Sequence, residues 1–170
     1  KRTGGLVDWW IGGDVGGIVL GARTSTRGSV TGRYGLFYGA VPAGTEATSA
    51  AWLWALQQNT ENRSNLAFVH AGSAGSGAIR LRVDIYDGET GQLVKNVEGA
   101  ETTLQPRAWT QLDRVLEKYA PGVANAYVRV SRVSGTNPFV AYAVINDGSG
   151  PGQRSGDGAY VPMSVEGSDE

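Results

Sequence analysis

The segment Ile79-Arg80-Leu81-Arg82-Val83-Asp84-Ile85-Tyr86 places an apolar residue at every second position. In an extended chain successive side chains point to opposite faces, so Ile79, Leu81, Val83 and Ile85 share one face while Arg80, Arg82, Asp84 and Tyr86 share the other. A helix would scatter both sets around its axis. The pattern therefore specifies a half-buried strand. It belongs to a longer block, residues 65–162, in which short apolar runs at 66–69, 79–86, 126–133 and 139–146 are parted by turns rich in Gly, Asn and Asp. With no long helical period between them, these runs predict an all-β fold. The expected architecture is an antiparallel β-sandwich, jelly-roll-like or immunoglobulin-like, with at most one short helix.

Composition narrows the chemistry. The 170 residues contain no cysteine, which excludes disulfides, thiolate metal sites and a cysteine nucleophile together. A formal net charge of −1, with both signs scattered, offers no basic face for nucleic acid. Glycine is abundant, with 26 residues, but falls in Gly-Gly, Asp-Gly and Ser-Gly pairs rather than a triplet repeat, so it marks turns. No apolar run approaches the ~18 residues of a membrane-spanning helix, and no membrane insertion is expected. The chain begins at Lys1 without a basic-then-apolar leader, and reads as a mature product or, in the favoured reading, a piece excised from a longer polypeptide.

Three segments are expected along the chain. Residues 1–30 carry apolar runs at 6–11 and 18–20 around Gly12-Gly13 and Gly16-Gly17, which read as two strands that either extend the main sheet or end a preceding domain. Residues 23–28 read as a polar link. The sandwich occupies 31–163, and 164–170 is an acidic, frayed tail. Within the sandwich, strands are predicted at 34–38, 51–56, 66–69, 79–86, 102–104, 109–112, 126–133, 139–145 and 160–162, with 57–63 and 71–78 as loops. The run at 139–145 is apolar on both faces and should lie centrally, whereas 160–162 should be an edge. Asp87-Gly88-Glu89-Thr90-Gly91 has the chemistry of a tight hairpin reversal. Residues 113–119 suggest one or two helical turns with Asp113 as N-cap and Pro121-Gly122 as the stop.

From Arg63-Ser64-Asn65-Leu66 onward, the order of motifs resembles a group of secreted or surface modules of acidobacteria and related bacteria. Those modules carry Arg-Thr-Asn-Leu, a Tyr-Asp-x-x-Gly reversal, a Leu-x-Pro turn followed by a Gln step, Phe-Ala-Tyr-x-x-Val, an Asp/Asn pair and Tyr-Val-Pro. The counterparts here are residues 63–66, Tyr86-Asp87-Gly88, Leu104-Gln105-Pro106 with Gln111-Leu112, Phe139 to Val144, Asn146-Asp147, and Tyr160-Val161-Pro162. The likeness spans about residues 32–163. It departs at Ser64, where Thr is usual, and at His70, where Asn commonly ends the strand. What the resemblance implies is a noncatalytic extracellular β-sandwich, often one module of a multidomain chain. It implies no ligand.

The candidate functional residues are few. His70, the single histidine, ends an apolar strand with no second ligand and no serine elbow beside it, so it reads as structural. Asp84, Asp87, Glu89, Glu98 and Glu101 could supply the facing carboxylates of a glycoside hydrolase, but none has an identifiable partner in sequence. Calcium is the better fit among metals. Asp87 and Glu89 in one tight loop, or Asn146, Asp147 and Asp157 around a Gly-rich loop, supply hard oxygen ligands near flexible carbonyls. Ordinary Asx turns explain the same residues.

Aromatic residues carry the strongest binding signal. Trp9, Trp10, Trp52, Trp54, Tyr34, Phe37 and Tyr38 crowd the first third of the chain, and exposed rings stack on sugars or anchor protein partners. Trp9, Trp10, Tyr34 and Tyr38 are the expected ligand contacts, with core packing the plainer reading for Trp52 and Trp109. Arg63 is either a further contact or an organiser of loop carbonyls. Together these residues point to a noncatalytic extracellular or cell-surface module for adhesion or recognition, with carbohydrate among its candidate ligands. The alternatives are a structural spacer or self-assembling surface subunit, pairing with copies of itself or with other modules of the same polypeptide, and a hydrolase or its accessory domain.

Overall fold

In the computed structural model the described residues are 7–9, 12, 18–27, 33–148, 154–155 and 157–167. They form strands β1 (Gly21–Arg27), β2 (Arg33–Gly39), β3 (Ala50–Gln57), β4 (Asn62–His70), β5 (Ile79–Asp87), β6 (Leu93–Leu104) and β7 (Trp109–Leu112). After these come helix α1 (Val115–Tyr119) and strands β8 (Asn125–Ser134), β9 (Phe139–Asp147), β10 (Gly158–Pro162) and β11 (Ser164–Val165). A four-stranded sheet runs β10-β9-β4-β7, a five-stranded sheet runs β11-β3-β8-β5-β6, and β1 pairs with β2 alone. All strand pairs are antiparallel.

The two large sheets make the expected all-β sandwich, and their strand order decides between its two forms. The first two strands of an immunoglobulin sandwich lie side by side in one sheet. Here β3 and β4 are consecutive yet fall in opposite sheets, and β8 inserts between β3 and β5. That crossing from sheet to sheet is jelly-roll topology. The eighth strand position, on the outer side of β9, is shared. Ala47 exchanges both backbone hydrogen bonds with Phe139, each 2.9 Å, and β10 pairs with residues 142–146 farther along. Between them the Ala141 amide donates to Sδ of Met163, 3.3 Å away.

The core follows from the alternation. Leu81, Val83 and Ile85 of β5, Leu53 and Leu56 of β3, Leu66 and Phe68 of β4, and Phe139 and Ala141 of β9 have no exposed surface. Each fully buried aliphatic or aromatic side chain contributes about 1.5–3 kcal/mol. In β3 the in-out rhythm is kept by a bulge. The register with β8 shifts between Leu53 and Leu56, and Ala55 takes a φ of 60°, so Trp54 and Ala55 both face outward and Leu56 returns inward.

Several sequence expectations are corrected. Residues 23–28 are not simply a link, because 23–27 belong to β1, paired residue for residue with β2. Residues 7–9 and 18–20 are not strands; the remainder of the expected 1–30 hairpin lies outside the described residues. The strand read at 66–69 begins at Asn62, inside the expected polar loop. Helix α1 starts after Arg114, which takes the left-handed conformation at φ 47° and makes no side-chain cap; Asp113 is not the N-cap. The Asn65 carboxamide oxygen instead accepts from the Arg114 amide at 2.8 Å. Ser164 and Val165 are not frayed but pair with Trp52 and Ala51.

His70 is fully buried. Its Nδ1 accepts from the Gly72 amide at 3.0 Å, which leaves Nε2 as the protonated nitrogen, donating to the Gly77 carbonyl at 2.9 Å. The neutral ring thereby pins both ends of the Gly/Ser loop between β4 and β5.

Candidate functional site

The outward residues of the five-stranded sheet line up in three rows set by strand register. In the first row Tyr127 lies opposite Tyr86, which lies opposite Leu93, and the β3 bulge places Trp54 against Tyr127. The second row runs Trp52, Arg129, Asp84, Asn96, and the third Ala50, Ser131, Arg82, Glu98. Four strands at about 4.8 Å spacing make each row roughly 14 Å wide.

The first row is aromatic. Trp54 and Tyr127 stack at 5.2 Å between centroids and 29° between planes, and Tyr127 and Tyr86 at 5.1 Å and 4°. Trp52 stacks on Trp54 at 5.5 Å and 13°. Rings that are nearly parallel at such short separations overlap face to face, since rings side by side in one plane would stand farther apart. Trp52 also meets Tyr86 at 5.8 Å and Tyr127 at 6.0 Å, tilted by 39° and 41°, so the four rings form one compact cluster rather than a flat tile. Trp54 is 47% exposed and Leu93 50%. The Tyr86 and Tyr127 hydroxyls and the Trp54 indole N–H have no hydrogen-bond partner among the described residues.

The second and third rows are charged and internally paired. Asp84 is buried although it faces outward; Arg82 lies 3.1 Å from it, and Asn96 donates to it at 2.5 Å. Arg129 holds the Glu166 carboxylate with two nitrogens, at 3.0 and 2.5 Å, and donates to the Ser131 hydroxyl at 2.8 Å. Its guanidinium lies over the Trp52 ring, 6.0 Å from the centroid. The Arg129 hydrogen bond keeps the Glu166 carboxyl below its ordinary range.

Of the expected ligand contacts, the structure brings Tyr38 into a second cluster. Tyr38 meets Tyr142 and Tyr160 edge to face, each at 5.7 Å, and Trp109 donates its indole N–H to the Tyr142 hydroxyl at 2.9 Å. Burial raises the pKa of Tyr142 and Tyr160. This cluster fastens β2 to the four-stranded sheet. Tyr34 is half-buried on β2 and makes no ring contact among the described residues. Trp9 is 74% exposed, beside an Asp8–Arg107 ion pair of 2.5 Å, and Trp10 lies outside the described residues. Arg63 donates to the Gly148 carbonyl, in the loop after β9. Trp52, expected in the core, is half-buried on the outer face, and Tyr86 and Tyr127 are not among the expected ligand contacts.

The residues proposed for calcium are taken up locally. Asp87 Oδ1 accepts from the Glu89 and Thr90 amides at 2.8 and 2.9 Å, an Asx turn that lowers its pKa, while the Glu89 side chain is exposed. Asp147 is held by the Ser155 hydroxyl and amide and by Arg154 at 2.8 Å, which lower its pKa. Asp157 accepts from the Gly35 amide at 3.1 Å, and Asn146 donates to the Val144 carbonyl at 3.4 Å. Among the described residues no three His, Asp or Glu side chains gather as a metal site. The other carboxylates are paired too, Glu98 with Arg80 at 3.0 Å and Glu101 with the Tyr119 hydroxyl at 2.7 Å.

Fold and surface thus define a jelly-roll β-sandwich with an aromatic, charge-paired outer sheet face. No family profile matches the sequence, and neither a curated protein nor a solved structure is significantly similar to it.

Proposed function

We propose that this chain is a noncatalytic extracellular recognition module that binds carbohydrate on the outer face of its five-stranded sheet. One observation carries the reading: exposed Trp54 and half-buried Tyr127 and Tyr86 form an aromatic row whose hydrogen-bond donors have no partner among the described residues, bordered by polar residues. Sugars are recognised by this combination, C–H bonds against rings and hydroxyls against donors. Because the rings pack on one another and Trp54 is the one exposed, the row suits a single glycan chain lying against Trp54 better than a flat crystalline surface. The resemblance to secreted bacterial modules supports an extracellular setting.

The test is a glycan array probed with the purified chain, with and without calcium. Saturable binding that falls at least tenfold in Trp54→Ala and in Tyr127→Ala, with the melting temperature kept, is the expected result. Binding unaffected by either substitution overturns it.

A second reading, self-assembly, is favoured by β6. This twelve-residue edge strand exposes Leu93 and Val94, and an open edge can pair with another chain. A mass in solution that rises with concentration and returns to the monomer in Val94→Lys would favour it.

A further inference from the structure

We infer that Arg129 and Trp52 form a subsite for the carboxylate of an acidic sugar, a uronate, and that Glu166 of the chain's own β11 segment occupies this subsite in cis. The inference rests on the reading of the outer face as a glycan surface.

The subsite is built before any ligand arrives. Arg129 presents Nε and one terminal nitrogen to both oxygens of a single carboxylate, at 3.0 and 2.5 Å, the paired geometry that a guanidinium and a carboxylate share. Its third nitrogen is held by Ser131 at 2.8 Å, and the Trp52 ring lies against it at 6.0 Å, so the fork is fixed in orientation. Trp52 in turn stacks on Trp54 at 5.5 Å, which makes the carboxylate position continuous with the aromatic row.

Charge on the face singles out this arginine. Arg80 is paired with Glu98 and Arg82 with Asp84, each within one sheet and inside its own row or the next. Asp84 lies directly opposite Arg129 in register, but its oxygens are taken by Arg82 and Asn96. Arg129 alone is neutralised from outside the central strands, by a residue following a two-residue edge strand. Once Glu166 withdraws, Arg129 has no carboxylate hydrogen-bonded to it, and it lies beside half-buried Trp52 and exposed Trp54.

The occupant is held weakly. Exposed ion pairs contribute little net stability, and beyond Arg129 the segment is held by a Trp52 hydrogen bond to Glu166, the Ser164 and Val165 pairs, the packing of Val165 on the core, and one amide bond from Glu166 to the Ala50 carbonyl at 3.0 Å. A ligand carboxylate that gains ring contacts in addition to the ion pair competes favourably with it.

The experiment titrates the wild-type chain, Glu166→Ala and Glu166→Ala/Arg129→Gln with glucuronate, glucose and acetate, following the Trp52 indole N–H resonance. Thermal melts establish that each variant is folded. In Glu166→Ala, glucuronate is expected to saturate at least tenfold more tightly than acetate and at least tenfold more tightly than in the wild type. Glucose leaves the resonance in place, and the double variant loses the response. The inference is overturned if Glu166→Ala gives no saturable response to glucuronate, if the response survives Arg129→Gln, or if acetate binds as tightly. Neutral glycans that still bind through Trp54 would then leave the recognition reading intact. Conversely, a glucuronate response with arrays indifferent to Trp54→Ala would retain the subsite and remove the aromatic row from the account.

Discussion

Ala55 decides which side chains reach the outer face. Its φ of 60° lies in the left-handed region, which L-residues other than Gly, Asn and Asp rarely adopt, and it is the extra residue that lets Leu56 return to the core after Trp54. A β-branched side chain there clashes with its own backbone, whereas glycine relieves the strain and gives back part of that gain through a more flexible unfolded chain. Ala55→Val is therefore expected to destabilise the protein by about 1–2 kcal/mol and Ala55→Gly to leave stability within about 0.5 kcal/mol of wild type. Urea unfolding midpoints measure both. Equal destabilisation by the two would mean that the bulge is not held in the left-handed conformation.

At the scale of elements, the β1–β2 hairpin is joined to the sandwich by few contacts. Tyr38 packs on Tyr142 and Tyr160, Leu36 is buried near Gly158, and Asp157 accepts from the Gly35 amide. A Cβ at Gly35 would collide with the Thr24 carbonyl across the hairpin. Gly35→Ala should accordingly strip amide-exchange protection from β1 while the core strands β4, β5 and β8 keep theirs, because such an element opens below the global unfolding energy. Loss of protection throughout would show the hairpin to be integral to the core. The same hairpin marks where sequence reading stopped. Strand β5 was legible because one face is buried and the other is not, so its residues alternate. Strand β1, Gly-Ala-Arg-Thr-Ser-Thr-Arg, has no apolar side to announce it, and β11 is two residues long. The aromatic row was half legible: the i, i+2 spacing of Trp52 and Trp54 is local, but Tyr86 and Tyr127 stand on different strands and meet only through the β5–β8 register. That register is fixed by core packing across the sandwich, not by either segment alone.

For the whole molecule, the shifted groups set a window of pH in which the fold is most stable. Asp87, Asp147 and Glu166 have folded pKa values below their ordinary 3.8, 3.8 and 4.5, through turn amides, Ser155 with Arg154, and Arg129 respectively. Each accepts a proton more readily in the unfolded chain. Their stabilisation is complete above those ordinary values and is lost as pH falls through the lower folded ones. Tyr119 acts from the other side. Burial, and a hydroxyl donated to Glu101, raise it to about 12 from an ordinary 10.0, so between those values the unfolded chain loses a proton that the folded chain retains. Burial pushes Tyr142 and Tyr160 in the same direction. Stabilisation from these phenols is complete below pH 10 and is lost as pH rises through the folded values. With respect to these groups, unfolding free energy from urea melts should be level from just above pH 4.5 to just below 10 and fall on both sides. The basic limb has its own signature. In an ultraviolet titration Tyr119, Tyr142 and Tyr160 should ionise above the ordinary phenol value of 10.0. Tyr119→Phe removes the hydroxyl that ties α1 to β6, and it should flatten the alkaline fall while leaving the acid limb unchanged. An alkaline fall that persists in full in Tyr119→Phe would place its origin in the Tyr142–Tyr160 cluster under β2.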